Sequence, residues 1–185
     1  ATIDFMFNVQ ANSLAMPGVG VANFLMESGA FGDVIKSNLT YQASPDFQAF
    51  VNAMYPDGAS EAELVEAYQM FYSQLSPAQK GALEGTFAQF TFAAQTVTDA
   101  GDPVNYLSMM AATQTPTHLI EVVGNGADNL SDQVIPNSVS STPLAGTEPA
   151  IALLGLPSVS QTSAGSGAVR FLNGHHGSIL SPSPT

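Results

Sequence analysis

"THLIEVVGNGADNLSDQVIPN", residues 117–137, decides the fold. It begins with a nearly continuous apolar and β-branched run, the pattern of a strand buried on both faces of a parallel sheet. Gly124 ends the run and opens a polar loop over 124–143. Beyond it, "GTEPAIALLGL" (146–156) reads as a helix with Thr147 as its cap. A Ser/Gly-rich linker, 158–167, leads to "AVRFLNG" (168–174), a second short buried strand, and then directly to His175 and His176. Strand, loop, helix, strand is a βαβ unit, and that unit implies a parallel sheet. Functional side chains in such sheets gather at the carboxyl ends of the strands. Asp128 and Asp132 follow one strand end and His175 and His176 follow the next, so both groups fall on the same edge.

Upstream, "FMFNVQANSLAMPGVG" (5–20) reads as a strand followed by a glycine-rich turn, and "VANFLMESGAF" (21–31) as a short helix closing on Gly29 or Gly32. Met16–Gly20 does not meet the dinucleotide fingerprint and reads as a tight turn. The zone 44–113 is helical, with four start signals. Ser44-Pro45 pairs an N-cap with proline at the first helical position. Ser60 with Glu63 is a capping box, and Ser76-Pro77 with Gln79 repeats it. Asp102-Pro103 opens one more helix, with Leu107 and Met110 inward. Between these signals Phe47, Phe50, Val51 and Met54, then Leu64, Tyr68, Phe71 and Tyr72, then Leu83, Phe87 and Phe90 recur at helical spacing. The predicted division is 1–35 as strand and loop of the core, 36–113 as a helical cap, and 114–185 as the last strands and helix. "SPSPT" at the end reads as a frayed tail.

The 185 residues are 45% apolar and 10% charged, enough for one domain with a real core. Three basic residues against fifteen acidic ones leave a net charge of −12. So few cations cannot neutralise phosphates, which argues against nucleic acid and against an anionic membrane surface. With no cysteine, disulfides and thiolate chemistry are excluded. No apolar stretch is long enough to span a bilayer. The start, "ATIDFMFNVQ", has neither an initiating Met nor a basic leader segment, and reads as the interior of a longer polypeptide.

An Asp after one strand and a His after the next is the late part of the Ser…Asp…His order. A serine hydroxyl needs an imidazole to take its proton, and the imidazole needs a carboxylate to fix its tautomer and stabilise its cation. "SLAMPGVGVANFLMESGAFG", "DNLSDQVIPNS", "PLAGTEPAIALLGL" and "HHGSILSP" together resemble, in order, the C-terminal part of large bacterial extracellular lipases of the virulence-factor type, which have the α/β-hydrolase fold. The resemblance spans 14–32 and 118–182 and is looser over the helical zone. It implies an α/β chain forming the C-terminal portion of a hydrolase sheet, with parallel strands, crossover helices and an all-helical cap insertion. It places the triad acid at Asp132, in Asp132-Gln133-Val134-Ile135-Pro136, and the base at His176, before Gly177-Ser178-Ile179-Leu180. It implies no cofactor and no metal, a lipid or small ester as substrate, and a secreted or cell-surface location.

The family's G-x-S-x-G elbow is missing here: Ser28 sits in "MESGA" and Ser166 in "AGSGA". The resemblance puts the nucleophile and oxyanion donors upstream of residue 1, on a segment that becomes this chain's partner. The chain is then the back half of a secreted serine lipase or esterase, inactive by itself. Two other readings stay open: a non-catalytic fragment binding lipid or a partner through its apolar helices, and a metal-dependent hydrolase built on His175 and His176. Asp128 and Asn129 read as turn formers, His175 as a solvated neighbour, and His118 as structural.

Overall fold

The computed structural model describes residues 9–180. Phe5 and Phe7 of the first predicted strand, and the tail from Ser181, lie outside the described residues. Among those described, three parallel strands and seven α-helices make a mixed α/β fold. The strands are β1 (Asn12–Ala15), β2 (Thr117–Val122) and β3 (Gly167–Phe171), in the order β1-β2-β3. Leu14, Leu119 and Ala168 share one register row, and Ala15, Ile120 and Val169 the next. The helices are α1 (Val21–Met26), α2 (Gly32–Ala43), α3 (Pro45–Met54), α4 (Glu61–Gln74), α5 (Pro77–Thr98), α6 (Leu107–Ala112) and α7 (Thr147–Leu154).

The sheet buries one face. Leu119 and Ala168 pack with Leu107 of α6 and with Ala150, Ile151 and Leu154 of α7. The other face is open over most of its length: Ser13, Ala15, His118 and Phe171 are exposed, and Ile120 and Val169 are half-buried, whereas Val122 at the carboxyl end of β2 is buried. The strand expected to be buried on both faces is therefore covered on one along its length and on the other only at Val122. His118, expected to be structural, points into solvent beside the 158–167 linker. Among the described residues no strand pairs with the outer edge of β1. The outer edge of β3 is shielded where Val159 N–H donates to Ala168 O and Ala168 N–H to Pro157 O.

The helical zone has its own core. Phe47 is fully buried, its ring 5.1 Å from Phe71 and edge-on to Tyr41 and Tyr68, and Leu83 and Phe87 of α5 close the other side. Its helices start where the serines dictate. Ser44 accepts from Phe47 N–H, and Ser60/Glu63 and Ser76/Gln79 form reciprocal capping boxes.

Four local expectations need correction. The helix from Val21 stops at Met26, and Gly32 opens α2 instead of closing α1. Asp102-Pro103 starts a single 3-10 turn, Pro103–Asn105, and α6 begins only after Tyr106. Thr147 does not cap α7; Gly146 does, and the Thr147 hydroxyl donates to Pro17 O. The run from residue 5 yields a described strand only over Asn12–Ala15.

Asp102 has a larger role than starting a helix. Its carboxylate is fully buried and accepts from Gly20 N–H (3.0 Å), Val21 N–H (2.8 Å), Val104 N–H (3.0 Å) and Gln95 Nε2 (2.8 Å). It thereby satisfies open donors at the start of α1 and ties that helix to the end of α5. Gly20 makes this possible: its φ is +68°, and a Cβ there would lie 2.8 Å from Leu144 O.

Candidate acid–base site

The acid loop leaves β2 and turns back on it, Asp132 N–H donating to Val122 O at 3.0 Å. Asp132 is buried, and its Oδ1 accepts from Val134 N–H (2.8 Å) and Ile135 N–H (3.1 Å). Those two donors fix the carboxylate plane and aim Oδ2 outward. The loop is held on both sides. Gln133 O accepts from Ala30 N–H and the Ser28 hydroxyl, and Pro136 O and Asn137 O accept from Thr147 and Glu148 N–H at the start of α7.

The base loop follows β3 as a run of tight turns, with Ser178 N–H donating to His175 O and Leu180 N–H to Gly177 O. It brings His176 Nδ1 to 2.7 Å from Asp132 Oδ2. Asp132 is an acceptor, so Nδ1 carries the proton and Nε2 presents a lone pair when the ring is neutral. The His176 side chain is 34% exposed and lines a surface cavity of about 470 Å³ with Leu130, Val134 and His175. The structure thus brings together two of the four residues singled out at this edge. His175 is exposed, and its Nδ1 accepts from Gly177 N–H at 3.0 Å. Asp128 is exposed and bound by Asn125 Nδ2 at 2.6 Å. The two imidazoles face different partners, and among the described residues no three His, Cys, Asp or Glu side chains gather as metal ligands.

No hydroxyl among the described residues is hydrogen-bonded to His176. Ser28 is buried and donates to Gln133 O. Ser166 accepts from Thr117 N–H, at the opposite end of the sheet. Ser178 accepts from His175 N–H.

Three residues near the site escaped the sequence reading. Asn129 and Asn125, legible only as loop formers, reach across to Gly174 and Asn173 of the base loop. Glu121, hidden in the apolar run, is fully buried below the acid loop and accepts from Asn137 Nδ2 at 2.6 Å. Arg170 Nε lies 2.8 Å from Glu121 Oε1, but its single N–H is directed at Glu148 Oε1, 3.0 Å away. Glu121 Oε1 therefore feels the charge without an aligned hydrogen bond.

These buried carboxyls give stability a defined pH dependence. Burial pushes Glu121 up to about 7, the Glu148 charge adding to it, against the pull of Asn137 and Arg170. The native state then keeps a proton that the unfolded chain releases near pH ~4.3, so Glu121's contribution is complete below that pH and lost as pH rises through about 7. Asp102 has the opposite sign. Burial alone would raise it, but the bonds from Gln95, Val104, Val21 and Gly20 outweigh burial and hold it below the ordinary value. Its contribution is present above the unfolded value of ~3.9 and lost as pH falls through its lower folded value. Thermal unfolding followed by circular dichroism from acid to pH 9 is expected to give a Tm that climbs out of acid and declines through neutrality. Glu121→Gln removes most of the second limb. An unchanged decline in that variant contradicts the assignment.

No protein-family model, curated protein or solved structure matches this chain.

Proposed function

We propose that this chain supplies the acid and base of a secreted serine carboxylic-ester hydrolase of the α/β-hydrolase type, a lipase or esterase. The observation that carries the reading is the 2.7 Å contact between His176 Nδ1 and Asp132 Oδ2, on loops that follow adjacent parallel strands at their carboxyl ends. The nucleophilic serine and its oxyanion donors come from polypeptide upstream of residue 1. That polypeptide adds its strand to the edge of β1 that pairs with no strand among the described residues.

In this reading His176 Nε2 takes the serine hydroxyl proton as the oxygen attacks the ester carbonyl, and Asp132 stabilises the resulting imidazolium. Collapse of the tetrahedral intermediate breaks the carbonyl–alkoxy bond. The same proton passes to the departing alcohol and leaves an acyl-serine. Water repeats the sequence, giving its proton to His176, and the serine oxygen recovers it as the acid is released. The helices of 36–113 act as the cap that substrate meets. A cleft of about 460 Å³ along α1 and α5, where Met26, Phe87 and Phe92 meet the charged Glu27, Lys36 and Glu84, is where the second reading, a ligand-binding fragment, would take its ligand.

Hydrolysis of p-nitrophenyl esters separates the two. The 185-residue chain alone is expected to show no turnover above background, with activity appearing when it is produced in continuity with its upstream polypeptide. Turnover by the isolated chain contradicts the placement of the nucleophile. Apolar-ligand binding that survives His176→Ala, with no hydrolysis in either form, favours the binder.

A further inference from the structure

We infer that Asn129 is the positioning residue of the acid–base pair, because its side-chain amide binds both the N–H and the C=O of Gly174, two residues before His176. The inference rests on the reading of Asp132 and His176 as acid and base. The β2–β3 ladder ends at Val122 and Phe171, with a last bond from Val123 N–H to Phe171 O at 2.9 Å. Beyond it the two chains separate into the acid and base loops, and no backbone pair joins Asn129 to Gly174.

The Asn129 amide takes the place of the missing peptide group. Gly174 N–H donates to Asn129 Oδ1 at 3.0 Å, and Asn129 Nδ2 donates to Gly174 O at 3.0 Å. The same Nδ2 donates to Leu130 O at 2.7 Å. A donor and an acceptor on one rigid plane reproduce the two-way pairing of a strand ladder, and they tie a point three residues before Asp132 to a point two residues before His176.

The amide is itself held in place. Asn129 N–H donates to Asn125 Oδ1 at 3.1 Å, and Asn129 O accepts from Asn125 N–H at 3.1 Å. Gly124 permits this closure: its φ is +74°, and a Cβ there would stand 2.6 Å from Asn129 O. A second bridge, Asn125 Nδ2 to Asn173 Oδ1 at 3.0 Å, runs alongside. The side chain therefore fixes where the imidazole stands relative to the carboxylate, and a contact of 2.7 Å is lost with a small displacement of either loop. Aspartate at this position has the same shape but donates nothing, and it sets a carboxylate against the carbonyls of Gly174 and Leu130.

The test reads the His176 ring directly. Two-bond proton–nitrogen correlation spectra of the ¹⁵N-labelled 185-residue chain at pH 8 report which ring nitrogen carries the proton. Wild type is expected to show the proton on Nδ1, whereas an imidazole free in water favours Nε2. Asn129→Asp is expected to convert His176 to mainly the Nε2–H form while the helix resonances stay in place. In parallel, Asn129→Ala, at a half-buried loop position, is expected to speed hydrogen exchange at the Gly174 amide by about tenfold or more. A wild-type ring already in the Nε2–H form overturns the acid–base pair and the inference with it. A wild-type Nδ1–H ring that persists in both Asn129 variants overturns the positioning role and leaves the pair standing.

Discussion

In the proposed hydrolase, produced with its upstream polypeptide, His176→Ala is expected to lower kcat for ester hydrolysis by about 10⁴-fold and to leave KM within a few-fold of wild type. In the proposed mechanism the alanine removes the base that takes the serine proton and leaves the proposed cap, residues 36–113, unaltered. Asp132→Asn costs nearly as much. An amide at that position can donate to Nδ1, which moves the ring proton to Nε2 and removes the lone pair that should receive the serine proton. The two losses are not additive, because acid and base act as a unit, and the double variant is expected to match His176→Ala within a few-fold. Steady-state kinetics on a short-chain ester measures all three. A His176→Ala enzyme retaining more than about a tenth of wild-type kcat removes the base assignment.

Asp102→Ala has the largest expected effect on stability. The buried carboxylate receives three backbone N–H groups and the Gln95 amide, and alanine leaves all four donors without it. At about 1–3 kcal/mol for each buried group left unsatisfied, partly relieved by entering water, the expected loss is about 4 kcal/mol. That is a large share of the 5–15 kcal/mol typical of a folded domain. The loss is expected to concentrate at the joint between α1 and α5, because Gln95 Oε1 also accepts from Ala22 N–H there. Urea unfolding followed by circular dichroism measures it, and a loss below about 1 kcal/mol contradicts the clamp.

Those clamps also mark the boundary of what the sequence could reveal. The helix starts at Ser44, Ser60 and Ser76 were legible because a capping residue and its partner lie within three positions of each other. α2 was not. It opens at Gly32 without a capping side chain, and its residues are largely polar. Its buried Ser37 and Thr40 return their hydroxyls to Val34 O and Lys36 O, which lets polar positions face the interior. The order of strand, Asp132 loop, helix, strand and His176 loop was legible, since periodicity and punctuation carry it. The partners that hold the site were not: Asn129 meets Gly174 forty-five positions away, and Glu121 lies among apolar residues whose spacing says nothing of Arg170 or Asn137. Local chemistry writes itself into sequence, whereas a side chain satisfied across the fold looks the same as one facing water.

Fluorophosphonate labelling of the proposed hydrolase, produced with its upstream polypeptide and read by intact-mass and peptide mass spectrometry, is the deciding measurement. Under the proposal a single adduct forms on a serine N-terminal to Ala1 in wild type and is absent on the same timescale in His176→Ala. An adduct on a serine within residues 1–185, or labelling of His176→Ala at the wild-type rate, contradicts it.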